Sequence, residues 1–122
     1  MNPDSYIPFY GNDFFQAVEG QPDYVVTAYM RAIWHFWHHN HCVGLKDDQE
    51  FLRRLCRSEK EHWPVTMEFV FDNDKQFTLN ESGLWIQTRA VSEWAKSKAK
   101  HEAAVARGKM GGFHAHKRKA KR

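Results

Sequence analysis

The chain has 122 residues, room for one domain at most. With 42% hydrophobic and 15% aromatic residues against seven glycines and four prolines, full disorder is excluded. The net charge of +3 joins two unlike parts: residues 1–89 hold 8 Lys+Arg against 13 Asp+Glu, net −5, and residues 90–122 hold 10 against 2, net +8.

In chain order, the first stretch, MNPDSYIPFYGNDFF, lacks a basic start and an unbroken apolar run. No segment approaches the ~20 apolar residues of a membrane span, so a cytoplasmic protein without membrane attachment is expected. Residues 6–10, YIPFY, read as a short extended run that Pro8 confines to a sheet edge, and Gly11–Asp13 reads as a turn. Pro22 and Asp23 suit a helix start. From there Val25, Tyr29, Ile33, Phe36 and Trp37 share one side, opposite Thr27, Arg31, His35 and His38, which predicts a long amphipathic helix ending between Asn40 and Gly44.

That helix ends in IWHFWHHNHC, residues 33–42. His35 and His39 have the spacing of a zinc-binding helical pair, and His38, His41 or Cys42 could complete a ligand set. Against zinc stand the missing glutamate base, the missing second ligand cluster and Arg31 one turn upstream, whose fixed charge opposes a cation. His38, His39 and His41 instead suit a helix C-terminus, where the dipole favours positive charge, with Trp34, Phe36 and Trp37 as core and core edge. The stretch reads as a helix end, with zinc or nucleic-acid backbone contact as lesser readings, and no metal or other cofactor is expected.

Asp47 with Glu50 has capping-box spacing before a helix that buries Phe51, Leu52, Leu55 and Cys56 and turns Arg53, Arg54 and Arg57 outward. Ser58 with Glu61 repeats the device before a third helix carrying Trp63, Met67, Val70 and Phe71, in which Pro64 sits deep enough to kink or shorten the first turn. FTLNESGLWIQTR alternates around NESG as a β-hairpin. Residues 90–112 have helical composition with Val91 and Trp94 as anchors, Gly108, Gly111 and Gly112 are expected to end that helix, and residues 113–122 are expected to be a disordered basic tail. Cys42 and Cys56 form no disulfide framework and are expected to be reduced and inert.

Strand, three helices and hairpin over residues 1–89 is the layout of a winged-helix-like domain, α+β and mainly α, with residues 6–10 as the third strand. Several stretches also resemble the YdaU-like prophage proteins of phage replication regions. The resemblance runs over roughly residues 6–112. It lies in Tyr6, Pro8, Tyr10, Asp13 and Phe14, in Tyr29 to Trp37, in GLKDDQEFLRRLCR, in Trp63 and Pro64 before EFVF, and in GLWIQTR. Two departures are Lys46 where the family has Pro and DYVVTAY where it has Glu-His-Gly-Ala-Tyr. The resemblance implies a winged-helix-like fold and a link to phage DNA replication, and it supplies no catalytic residues. DNDK, residues 72–75, has closely spaced carboxylates but lacks the glycine and terminal glutamate of a calcium loop, and no nucleophile elbow or phosphate-binding glycine loop is present, so no enzyme is expected.

A DNA-binding accessory protein of phage or prophage replication or its control is therefore expected, binding duplex or single-stranded DNA largely through the wing and the basic C-terminal segment. Its candidate contacts are Arg53, Arg54 and Arg57, then Lys75 and Arg89 beside the wing, then Lys96, Lys98, Lys100, Arg107, Lys109, Lys117, Arg118 and Lys119. The third helix, where a recognition helix would lie, carries or follows Glu59, Glu61 and Glu68 against Lys60 alone, so phosphate-driven rather than base-reading contact is expected. The alternative is a protein–protein adaptor that holds a replication partner such as a helicase loader, or a second copy of itself.

Overall fold

The computed structural model describes residues 11–73 and 75–120, with side chains described through Gly108. Among these residues the chain is α+β and mainly helical: α1 Gly11–Val18, α2 Asp23–His38, β1 Leu45–Lys46, α3 Gln49–Leu55, α4 Trp63–Val70, β2 Thr78–Leu79, β3 Leu84–Ile86 and α5 Thr88–Ala120. The strands form one antiparallel sheet in the order β1-β3-β2, pairing Leu45 with Trp85 and Leu79 with Trp85.

α2 is the central element because its apolar side chains recur at three- and four-residue steps. Val25, Ala28, Tyr29, Ala32, Phe36 and Trp37 are buried, and α4 packs on them through Phe69 and Val70. Phe36 meets Phe77 edge to face, and Phe71 lies tilted against Phe77 and edge-on to Trp85, so these rings form one continuous core. α2 begins after Pro22 and closes at His38. Asn40 then locks the turn that follows, its amide donating to the Gly44 carbonyl (2.9 Å) and its oxygen accepting from the Gly44 amide. Gly44, at φ +139°, is required there, since a Cβ would stand 2.6 Å from the Leu84 side chain.

Several sequence expectations need correction. Gly11–Asp13 opens a helix rather than a turn, because Phe14 and Val18, four apart, both reach the core. The third strand is Leu45–Lys46, two residues held by pairing with β3, while the expected strand at residues 6–10 lies outside the described residues. The cap of α3 is Asp48, which accepts from the Phe51 amide at 3.1 Å, and Asp47 instead accepts from the Trp85 indole at 2.9 Å. α4 starts at Trp63, five residues past Ser58. Pro64 therefore falls in the first turn, where a missing N–H is harmless, and the helix is shortened at its start, one of the two outcomes expected of that proline. α5 runs on through Gly108, Gly111 and Gly112 to Ala120: without a left-handed cap, glycine weakens a helix by about 1 kcal/mol per residue rather than stopping it.

Candidate nucleic-acid interface

The expected contact residues fall on three elements. On α3, Arg53 does not point outward: its side chain is 17% exposed, donating to the Ser58 carbonyl at 2.9 Å and to Glu50. Arg54, 77% exposed, donates to the same Glu50 at 3.0 Å. Those two guanidiniums hold the Glu50 carboxyl down to about 2, the Arg53 hydrogen bond being the largest cause. Arg57 is exposed and sits just past the helix, at φ +52°. The Ser58 amide donates to Arg53 O and the Arg57 amide to Arg54 O, both at 3.1 Å, which is the left-handed C-terminal cap usually given to glycine.

Beside the hairpin, the structure brings Lys75 and Arg89 to a single cleft of about 420 Å³ between α1, α2 and the start of α5. Arg89 is ion-paired there to Asp13 of α1. The Gln87 amide donates to the Tyr29 hydroxyl at 2.9 Å in the same cleft, and burial pushes the Tyr29 phenol up against the opposing pull of Gln87 and Arg89. The hairpin tip is ordered by Asn80, whose side-chain oxygen accepts from the Ser82 and Leu84 amides, and it carries Glu81 rather than a cation.

α5 supplies the remaining residues. Ala90 is buried and Val91 and Trp94 pack on the body, with Trp94 edge-on to Trp37 at 5.0 Å. A boundary after Arg89 therefore cuts through core contacts, and the basic helix separates from the body only further along. Lys96 lies 3.6 Å from Glu93, Lys98, Lys100 and Arg107 are exposed, and every residue from Glu102 to Gly108 is exposed. At 100° per residue, Lys96, Lys100 and Arg107 fall on one side of the helix and Lys98 on the opposite side. Lys109, Lys117, Arg118 and Lys119 follow on the same helix by backbone position, their side chains lying outside those described.

The histidine run resolves into separate contacts. His35 stacks on His39 at 5.1 Å, His41 stacks on Trp94 at 5.1 Å, and the Cys42 thiol approaches the Ala90 carbonyl at 3.7 Å. Burial, then the neighbouring His39, lowers the His35 imidazole, and burial pushes both Cys42 and Cys56 thiols up to about 12. Among the described residues, the ligand atoms close enough together for an ion belong to Glu59, Glu61 and His62, on the surface ahead of α4. His62 stacks there on Tyr24 at 3.9 Å.

Trp34 is the residue that sequence reasoning misplaced. It is 52% exposed, not core, because position 34 lies on the side of α2 shared with Thr27, Arg31 and His38. The helical wheel carried that signal, but indole chemistry argued the other way. No helix among the described residues is long and apolar enough to cross a membrane. Comparison of the chain with protein-family models, with curated proteins and with solved structures gives no match.

Proposed function

We propose that the chain is a winged-helix DNA-binding protein, an accessory of phage or prophage replication or its control, that holds DNA chiefly by phosphate contacts from α5. The connectivity α2-β1-α3-α4-β2-β3, with β1 pairing β3 across the hairpin, supports the winged-helix reading. The observation that carries the function is the charge split: net +8 in residues 90–122, on a helix whose surface is exposed from Glu102 to Gly108, against net −5 in residues 1–89. From Lys96 to Lys119 the helix rises about 35 Å, close to one turn of duplex DNA at ~34 Å, so its cations can follow a groove edge.

Base reading by α4 is disfavoured. The helix WPVTMEFV offers Glu68 and no Lys or Arg, so it lacks the groups that grip guanine edges and meets phosphate with repulsion. The wing tip is equally poor in cations. Binding is therefore tolerant of sequence, with affinity set by counterion release.

Fluorescence anisotropy of a labelled duplex titrated with the chain at increasing KCl tests this. Neutralising about 5–8 phosphates gives a slope of log affinity against log salt near −5 to −7. Lys98→Gln, Lys100→Gln and Arg107→Gln together, all exposed and outside the core, should flatten that slope by about 3. Random and cognate duplexes should weaken alike. Absence of salt-dependent binding refutes the DNA reading and leaves the protein–protein adaptor in its place.

A further inference from the structure

A second basic surface lies away from α5, in the groove between α2 and α3, about 660 Å³ in volume. That is within the ~300–1,000 Å³ typical of ligand sites. Its apolar lining includes Phe51 and Leu55 of α3, and the half-exposed indole of Trp34 forms its α2 side. Arg31, Arg54 and Arg57 also line it, and no carboxylate does, although the surrounding body is acidic. Among the described residues, no ion pair engages Arg31 or Arg57.

We propose that this groove binds single-stranded DNA, with a base stacked on Trp34 and the neighbouring phosphates held by Arg31, Arg54 and Arg57. Two imidazoles pack on the indole, His39 at 4.6 Å in a T-shaped arrangement and His38 tilted at 5.7 Å, and about half of its surface stays exposed. A half-exposed aromatic ring in a groove lined by cations suits any base, since every base has a π face and every nucleotide a phosphate. Lys46, 4.9 Å above the Phe51 ring, adds a further positive charge at the α3 rim.

The backbone at Arg57 is a second, independent observation. Its left-handed conformation favours glycine, yet the chain places there an arginine that lines the groove. A position that sacrifices local stability to present a cation fits contact with an anion. An acidic peptide would satisfy the arginines too. Three arginines in a lining without a carboxylate favour a polyanion with a phosphate at every unit over the apolar face of a docked helix.

The proposal rests on the DNA reading, and its test separates the two. The full chain is titrated against fluorescein-labelled dT15 and against an abasic 15-mer with the same phosphates and no bases. The parent should prefer dT15 by roughly 5- to 100-fold, the contribution of a stacked base. Trp34→Ala should bring the two affinities together, and Trp34→Phe, which keeps an aromatic face, should restore most of the preference. Equal affinity of the parent for both oligonucleotides overturns the groove proposal while leaving phosphate binding by α5 intact, and is the outcome if the groove takes an acidic peptide. An undiminished preference in Trp34→Ala also overturns it. Failure to bind either oligonucleotide overturns both readings together.

Discussion

Two tryptophans three residues apart on α2 should respond to truncation in opposite ways. Trp37 is 0% exposed and meets Trp94 edge to face, so it fills the core and ties α5 to the body. Trp34 is 52% exposed and touches only imidazoles among the ring contacts. Trp37→Ala removes a fully buried indole and leaves a cavity, a loss of about 3–5 kcal/mol. Set against the ~5–15 kcal/mol stability of ordinary domains, that is about a fifth of the total or more. With a urea slope of about 2 kcal/mol per molar, the unfolding midpoint falls by about 1.5–2.5 M. Trp34→Ala leaves no cavity and should cost less than about 1 kcal/mol. Equilibrium urea unfolding followed by far-UV circular dichroism measures both without depending on tryptophan emission. A Trp37→Ala midpoint near the parent's, or equal losses in the two variants, would refute the assigned register of α2 and the surface placement of Trp34 on which stacking depends.

Arg57→Gly should raise stability by about 1 kcal/mol, the cost of a side chain in the left-handed region. Thermal melts should show the gain as about 3–5 °C, with weaker dT15 binding alongside it, and a lower melting temperature would show that the arginine makes a stabilising contact. His35 gives a pH signature. Burial, then the neighbouring His39, holds its folded pKa below the ordinary imidazole value of 6.5, so the unfolded chain binds more protons, and stability is lost as pH falls below that value. Melting temperatures at pH 7.5 and 5.5 should therefore differ less in His35→Gln than in the parent, and an unchanged difference would place the titrating group elsewhere.

Long elements were legible in the sequence and short ones were not, for a physical reason. α2 repeats its apolar pattern over four turns, so period places it, and the short strands β2 and β3 are placed by the NESG turn between them. β1 has two residues and no period to show; its pairing with β3 creates it. α1 hides behind turn-forming Gly11 and Asn12, and only the distant contacts of Phe14 with Tyr29 and Arg89 with Asp13 explain its placement. At α3, adjacent Asp47 and Asp48 are equally good caps locally, and the indole of Trp85 decides between them by taking Asp47. Candidate contacts follow the same pattern. The charge of α5 is visible in composition, whereas the inward turn of Arg53 and the gathering of Arg31, Arg54 and Arg57 around Trp34 require the packing of α3 on α2.

Distance allows an acidic body and a basic helix to act on the same polyanion. At physiological ionic strength charges are screened beyond about 8 Å, and a helix advances about 1.5 Å per residue. Arg107, six residues past His101, the last half-buried position described on α5, is about 9 Å along the helix from that point, more than a screening length. On the proposed DNA reading, the acids of the body would therefore not cancel the attraction of distal α5 for DNA, though they would oppose close approach of a duplex to α4 and the hairpin. A flexible single strand would avoid those acids at the α2–α3 groove, where Arg31, Arg54 and Arg57 gather with no carboxylate in the lining. Capture by α5 would then raise the local concentration of strand at the groove, so a weak stacking contact there would discriminate between single and double strands without supplying most of the affinity.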